Sequence, residues 1–210
     1  MLFRSLTAVY GAGLAMIQTE ARRAFGFLFM SQSALVLVGL DCTSRAGLTG
    51  GLIWWLASGL SLAGHGICLW LLEARRGTTS LREFHGGFER MPVLAASFLI
   101  LGLGSVGFPG TVGFVGAELL VGGAVEKFPH AGFAVLFATG LNAITVVRMY
   151  FALFCGRRVD LPGHQRLRAH ESLAVGLLVV AIFAGGLWPA PLVDSRARAA
   201  AAILAGRSAP

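Results

Sequence analysis

Long runs of apolar residues with almost no charge fill most of this 210-residue chain. The hydrocarbon core of a bilayer is about 30 Å thick, so a helix needs roughly 20 apolar residues to cross it. Runs of about this length or longer occupy residues 24–40, 49–72, 91–125, 131–155 and 172–193. These runs predict an all-α fold, a polytopic transmembrane helix bundle of about five full spans, with residues 1–210 as a single transmembrane domain.

A further apolar run, at residues 5–18, is short for a full crossing. A signal peptide is one explanation, but its positively charged n-region would consist of Arg4 alone, and no clear A-x-A cleavage site follows. We therefore expect one partial N-terminal span, the tail of a helix whose beginning lies upstream.

The composition agrees with a membrane-embedded protein. Only 13% of the residues are charged, which is about half the share in a soluble domain. The net charge of +7 is the excess of sixteen arginines and Lys127 over ten acidic residues, and the basic residues lie mostly between apolar runs. Nucleic-acid binding needs basic residues on one solvated face with aromatic residues between them, so we exclude it. Cys42, Cys68 and Cys155 show neither CxxC nor metal-ligand spacing, and we expect no metal and no cofactor in this chain.

The dipeptide Pro109-Gly110 interrupts the run 91–125, and Gly113 follows it closely. Because proline removes a backbone donor and glycine loosens a helix, we expect one helix to be discontinuous here. Broken backbone is tolerated at membrane depth only where protein or a water-filled cavity surrounds it. Transporters place ion sites at such breaks. A plain proline kink with glycine-rich packing is the alternative.

The distribution of arginines predicts the topology. If the broken run crosses the membrane once, ten arginines in the loops at 19–23, 73–90 and 156–170 share one side, against six basic residues on the other. If it crosses twice, four of those ten arginines move to the other side, and the three arginine-rich loops no longer share one side. The positive-inside rule therefore favours a single discontinuous crossing, with both termini outside. We expect the membrane to be a bacterial inner membrane.

Three ionisable residues lie within the predicted spans: His65, Glu118 and Arg148. Such residues are costly in a membrane and are functional candidates by default. A buried Glu118 and His65 can exchange protons near neutral pH, and with water they could relay protons; an arginine keeps its proton. The structural alternatives are a histidine hydrogen-bonded to a neighbouring helix, a Glu118–Arg148 pair, and an arginine that snorkels to the surface. Six polar side chains in the spans are expected to act mainly as interhelical hydrogen-bonding groups: Ser31, Gln32, Ser33, Ser58, Ser61 and Asn142.

Three segments resemble one known family. They are "MPVLAASFLILGLGSVGFPGTVGFVGAELL" at 91–120, "QTEARRAFGFLFMSQSALVLVGL" at 18–40 and "ASGLSLAGHGICLWLLEARRG" at 57–77. They are similar to the C-terminal half of the antiporter-like, proton-conducting membrane subunits of respiratory complex I, a fold that also occurs in multisubunit cation/proton antiporters and membrane-bound hydrogenases. The first segment resembles the family's discontinuous helix, in which Pro-Gly-Thr precedes a Phe-Val-Gly-acid step.

The resemblance implies about fourteen helices in two inverted repeats, each with a proton half-channel. This chain then corresponds to the tail of the ninth helix and the tenth to fourteenth helices. The implied partners are other membrane subunits, including a chain that carries the missing N-terminal repeat.

The chain departs from the family at the residues that matter most. The family's acid falls on Ala117, one residue before Glu118, and one residue turns a side chain by about 100° around a helix. Its histidine falls on Ser58, two turns from His65, and its lysine falls on Arg22.

These features predict a membrane subunit that conducts protons, with or without exchange for a cation, in a redox-driven complex similar to NADH:quinone oxidoreductase. Any oxidoreductase activity belongs to the assembly, because the chain carries no redox-centre motif. Glu118 is the expected titrating carboxylate and His65 its relay, and the break is expected to admit water. The expected path residues are Glu118, His65, Ser58, Arg22 and Arg148, beside Pro109, Gly110 and Gly113 of the break. The alternatives are a non-conducting structural subunit of an energy-coupled uptake system, for example for bicarbonate, and a truncated fragment.

Overall fold

The computed structural model describes residues 1–126, 128–156 and 167–208. Eight helices make up the regular structure of those ranges: α1 Leu2–Ile17, α2 Ala21–Leu40, α3 Arg45–Arg76, α4 Pro92–Ser105, α5 Val112–Val125, α6 Pro129–Phe154, α7 Ala169–Leu187 and α8 Ala190–Ser208. Helices α2, α3, α6 and α7 are long and apolar enough to cross a membrane, judged by length and composition, and α4 and α5 are shorter apolar helices. The predicted all-α polytopic bundle is confirmed.

The predicted break separates α4 from α5, and α4 ends in a Schellman motif. Gly107 adopts a left-handed conformation with φ of 83°. The Phe108 N–H donates to the Leu103 carbonyl at 3.1 Å, and the Gly107 N–H donates to the Gly104 carbonyl at 3.4 Å. This pair of bonds satisfies carbonyls that a helix end otherwise leaves without donors.

A type II turn follows directly and starts α5. Pro109 and Gly110 occupy its two central positions, and Gly110 has the positive φ of 87° that the second position requires. The Thr111 N–H closes the turn on the Phe108 carbonyl at 3.1 Å, and the Thr111 hydroxyl donates to the same oxygen at 2.7 Å. The residues of the break therefore satisfy much of their own hydrogen bonding. Gly113 lies in the first turn of α5, where a Cβ would meet the Gly104 carbonyl, so glycine lets the two half-helices approach.

The two half-helices run in one direction along α3, the long central helix. Contacts in chain order pair Phe98 with His65, Gly104 with Ser61, Gly116 with Trp54 and Gly123 with Gly47. Because the partner on α3 moves steadily toward its N-terminus, α4 and α5 form a single discontinuous crossing antiparallel to α3. This is the crossing that the arginine distribution favours.

Glycines set the close packing of α3 against α5. A Cβ on Gly50 would lie 2.7 Å from the Leu119 carbonyl carbon and 2.8 Å from the Leu120 Cα. Ser44 joins the same seam: its hydroxyl caps α3 by accepting from the Gly47 N–H at 3.2 Å and donates to the Gly123 carbonyl at 3.1 Å. The seam places the backbones in direct contact, so α5 has one fixed rotation relative to α3.

The predicted span 172–193 is wrong at its C-terminal end. Helix α7 stops at Leu187, and α8 begins at Ala190. Pro189 disfavours the helical conformation at Trp188, which has φ of −124° and ψ of 71°. Helix α8 then packs against α3, and Arg207 donates to the Leu40 carbonyl at 3.0 Å.

The N-terminus lies at the same end of the bundle as Arg207. The amino group of Met1 is 3.3 Å from the Asp41 carboxylate, which follows the last residue of α2. Both described chain ends therefore lie beside the loop between α2 and α3.

Replacing Gly50 with alanine is expected to destabilise the fold, because the new methyl meets the α5 backbone and the helices have to separate. Overpacking of this kind costs about 1–3 kcal/mol. Thermal unfolding of the purified protein in mild detergent measures the effect. Gly59→Ala is the matched control on the same helix, since a Cβ at Gly59 has no atom within 4 Å. Equal melting temperatures for the two variants would contradict the close α3–α5 seam.

Candidate functional site

His65 lies in the interior of the bundle with 0% of its surface exposed. The Nδ1 atom is 3.0 Å from the Phe98 carbonyl oxygen of α4. The Phe98 ring packs on the imidazole with centroids 4.1 Å apart, and the Phe25 ring of α2 stacks on it at 5.9 Å. Since a carbonyl can only accept, Nδ1 carries the proton in this hydrogen bond. Nε2 has no partner among the described residues, so in the neutral ring its lone pair is available to a proton.

Glycine makes room for this imidazole. A Cβ on Gly102, one turn after Phe98, would lie 2.8 Å from the His65 Cε1 and 2.9 Å from its Nδ1. The same position would crowd Val146 of α6. Helix α4 therefore positions the ring in two ways. The Phe98 carbonyl binds Nδ1, and Gly102 leaves space for the imidazole.

Other buried polar atoms of the bundle also lack partners. With His65, the central polar cluster consists of Ser31, Gln32, Ser61 and Asn142. Asn142 of α6 donates to the Ser31 hydroxyl at 2.8 Å, and Ser31 donates to the Ala8 carbonyl at 2.8 Å. Gln32 accepts from the Trp54 indole at 3.1 Å. Within the described ranges, Gln32 Nε2, Ser61 Oγ and Asn142 Oδ1 remain without hydrogen-bond partners. Buried polar atoms of this kind are the usual sites of internal water.

Apolar side chains separate His65 from the Ser31–Asn142 pair. Leu28 of α2, Leu62 of α3 and Val146 of α6 are buried and pack together. Each lies about one helical turn from a member of the cluster, and we call these three side chains the apolar layer. The cluster is therefore not one continuous hydrogen-bonded chain. Water has to enter the apolar layer before a proton can pass between its two parts.

Ser58 faces a different environment from His65. Its hydroxyl donates to the Trp55 carbonyl at 3.3 Å, so it bonds within its own helix. It lines a groove of about 460 Å³ between α2 and α3, together with Ser33, Phe29 and Leu62. The position that the resemblance assigns to a histidine thus opens toward the surface of this chain, beside the apolar layer.

Glu118 is not a neighbour of His65. It is exposed on α5, between Gly116, which packs on Trp54, and Leu120, which packs on Gly50. The part of α3 beside Glu118, between Gly50 and Trp54, is about 13 residues from His65, or roughly 20 Å along the helix. Ala117, the position to which the resemblance assigns the family's acid, packs instead toward the interior with Trp54 and Leu120. The one-residue shift therefore turns the carboxylate out of the bundle.

The two candidate arginines have structural partners. Arg22 forms an exposed ion pair with Glu73 at 3.1 Å, where α2 begins and α3 ends. Arg148 donates to the Met16 carbonyl in the last turn of α1. A cation at a helix C-terminus satisfies a carbonyl and complements the helix dipole. The structure does not pair Arg148 with Glu118.

The break and the central polar cluster are adjacent. A Cβ on Gly104, the second-last residue of α4, would lie 3.1 Å from the unpartnered Ser61 Oγ. On the other side, Gly186 of α7 lies against the Gly110 carbonyl and Thr111. Among the described residues, no three His, Cys, Asp or Glu side chains are grouped to hold a metal ion. The geometry is that of a closed, proton-accepting polar site beside a discontinuous membrane helix.

Comparison with known proteins identifies the family. The transmembrane family described as "NADH:quinone oxidoreductase/Mrp antiporter" matches residues 1–145, and the chain belongs to it. NADH-quinone oxidoreductase subunit M of Pseudomonas aeruginosa is 33% identical over 190 residues, covering 88% of this chain and 36% of the relative. The chain thus spans about a third of the length of the curated relatives it matches.

Solved structures show the same fold. A chain of respiratory complex I from Thermus thermophilus with bound NADH aligns with a TM-score of 0.83 at 26% identity, over 93% of this chain and 43% of that one. A chain of the Mrp complex from Dietzia sp. DQ12-45-1b aligns with a TM-score of 0.87 at 19% identity, over 95% of this chain and 46% of that one. At that identity the second match supports the fold alone. The predicted membership of the antiporter-like family is confirmed.

Replacing Arg148 with glutamine is expected to lower stability and leave proton movement unchanged, because the guanidinium caps α1. A charged hydrogen bond of this kind contributes about 1.5–3 kcal/mol. Thermal unfolding in detergent should show a lower melting temperature for Arg148→Gln than for Arg22→Gln, whose ion pair is exposed and weak. A loss of proton flux in a variant of unchanged stability would instead make Arg148 part of the path.

Proposed function

We propose that this chain is a proton-translocating membrane subunit of a multisubunit, redox-driven assembly, and that His65 is its proton-holding residue. Membership of the NADH:quinone oxidoreductase/Mrp antiporter family supports the class of function. The observation that carries the residue assignment is the unpartnered Nε2 of a fully buried histidine, beside a discontinuous helix.

The hydrogen bond to Phe98 limits where a proton can enter. Nδ1 is already protonated and bound to a carbonyl, so a proton from water arrives at Nε2 and converts the imidazole to an imidazolium. Both ring nitrogens then donate, and the Phe98 carbonyl continues to accept from Nδ1. Release returns the proton from Nε2 to a water molecule. His65 therefore stores one proton at one atom, without rotation of the ring.

The unpartnered atoms of Ser61, Gln32 and Asn142 supply positions for that water. A water near Ser61 lies beside the break, and waters near Gln32 and Asn142 lie beyond the apolar layer. Because Leu28, Leu62 and Val146 pack together, conduction requires that layer to become hydrated. Hydrophobic constrictions gate membrane pores in this way. Glu118 enters such a path only through a partner chain, since it faces away from the bundle.

We also propose that a partner chain supplies the N-terminal repeat implied by the resemblance. The solved structures that share this fold belong to multisubunit complexes, which supports the presence of partner chains. The orientation follows from charge: the end of the bundle with Arg22, Arg75, Arg76, Arg82 and Arg90 faces the cytoplasm of a bacterial inner membrane. Arg157, Arg158, Arg166 and Lys127 also entered the charge distribution, and they lie outside the described residues.

Replacing His65 with asparagine in the intact assembly is expected to reduce proton flux by about tenfold or more, because the proposed path through the described residues loses its titrating group at this depth. Proteoliposomes with an internal pH-sensitive dye measure the flux. Ser61→Ala should reduce flux less, since it removes one water site. Thr145→Val is the matched control, because Thr145 is buried and its hydroxyl donates to the Leu141 carbonyl of its own helix.

Wild-type flux in a folded His65→Asn assembly would contradict the proposed path and favour the non-conducting alternative.

The orientation is tested by labelling single cysteines in intact cells, in a Cys155→Ser background. Gly206→Cys, near the C-terminus, should react with a membrane-impermeant maleimide added outside. Arg82→Cys should react only after the membrane is opened, because its loop lies at the arginine-rich end. The reverse pattern would invert the proposed orientation.

A further inference from the structure

Glu118 is the one ionisable residue between Met91 and Val125, and it is exposed. It lies eight residues before Glu126, the residue that follows α5, which is about 12 Å along the helix. The part of α3 at the level of Glu118 lies about two turns after Arg45, the first residue of that helix. The carboxylate therefore lies within the apolar part of the span and faces outward.

Glu118 has no ion pair or hydrogen bond among residues 1–126, 128–156 and 167–208. A carboxylate facing lipid at this depth is strongly unfavourable. It is too short to reach the headgroup region as a lysine does. The cost is removed if a cation at the same depth covers it.

The surface around Glu118 suits close approach of another helix. Phe114 lies one turn before it and is exposed, and Gly122 lies one turn after it, where a Cβ would meet no atom within 4 Å. We call Phe114, Glu118 and Gly122 the α5 outer face.

The antiparallel neighbour α6 has an open glycine at the level of this face. Gly132 packs on Val125, so the register brings Gly140 to the level of Glu118, and a Cβ on Gly140 would also meet no atom within 4 Å. Small residues at a helix surface let two membrane helices approach closely, and a polar group between them fixes their register.

We propose that the α5 outer face is a helix-docking surface, and that its occupant is a transmembrane helix of a partner subunit that presents a lysine or arginine to Glu118. Charge complementarity determines this choice of occupant, because a carboxylate at this depth needs a cation and lipid tails offer none. The inference rests on the proposed function only in that the chain works inside a membrane assembly, and it does not use His65.

The test is the recovery of partner subunits with the intact assembly from native membranes in mild detergent, quantified by mass spectrometry. Glu118→Arg should reduce recovery of one partner by about tenfold, since it places two cations in contact. Glu118→Gln should reduce recovery less. Glu126→Arg is the matched control: it reverses an exposed carboxylate on the border of the same helix and should leave recovery unchanged.

A second measurement covers the case in which Glu118→Arg fails to insert. A photoreactive benzoylphenylalanine in place of Phe114, a conservative change at an exposed aromatic position, should cross-link to a membrane helix that carries a lysine or arginine near the adduct. Exchanging charges, with Glu118→Arg and that cation changed to glutamate, should restore recovery.

Adducts with lipid alone, or full recovery of all partners with Glu118→Arg, would overturn the docking surface. The outcome is separate from that of the proton path, because His65→Asn changes flux without touching the α5 outer face.

Discussion

The backbone of a membrane-embedded chain has to satisfy its own amides and carbonyls, since lipid tails offer no partners. This chain breaks a helix at membrane depth and meets that constraint locally, with a Schellman ending at Gly107 and a type II turn at Pro109-Gly110. Helix α7 covers the break through Gly186. Because the break is closed in this way, α4 and α5 stay in one line along α3. The contacts of His65 and Ser61 with α4, and the outward direction of Glu118 on α5, depend on that alignment.

The closed break restricts how a proton can move through the bundle. The chain itself supplies hydrogen bonds for the turn. The break therefore does not attract water into the bundle through exposed amides. The unpartnered atoms lie instead on the side chains of α2, α3 and α6. The break brings Gly104 against Ser61, and Gly102 leaves room for the imidazole. Its contribution is to bring glycine-rich backbone close to a buried histidine. In the proposed path, the apolar layer controls hydration.

The sequence was sufficient for the features that depend on strong local signals. Hydropathy predicts the spans. Pro109-Gly110 predicts the break, because few other residues interrupt a helix as strongly as proline does. The end of α7 was missed because Trp188 and Ala190 continue the apolar run across Pro189. The direction of Glu118 depends on how α5 is rotated against α3, which the glycine seam sets through tertiary contacts. The hydrogen-bond partner of His65 is a backbone carbonyl of another helix. Every residue has such a carbonyl, so the sequence does not predict this contact.

The central claim is that the buried polar atoms around His65 form a hydratable path. The most direct test is a cryo-EM map of the intact assembly at a resolution that shows ordered water. We expect a water molecule within hydrogen-bonding distance of His65 Nε2, with others at Ser61 Oγ, Gln32 Nε2 and Asn142 Oδ1. A dry cavity at all four atoms, in an assembly that pumps protons, would contradict the claim and move the proton path to another part of the complex.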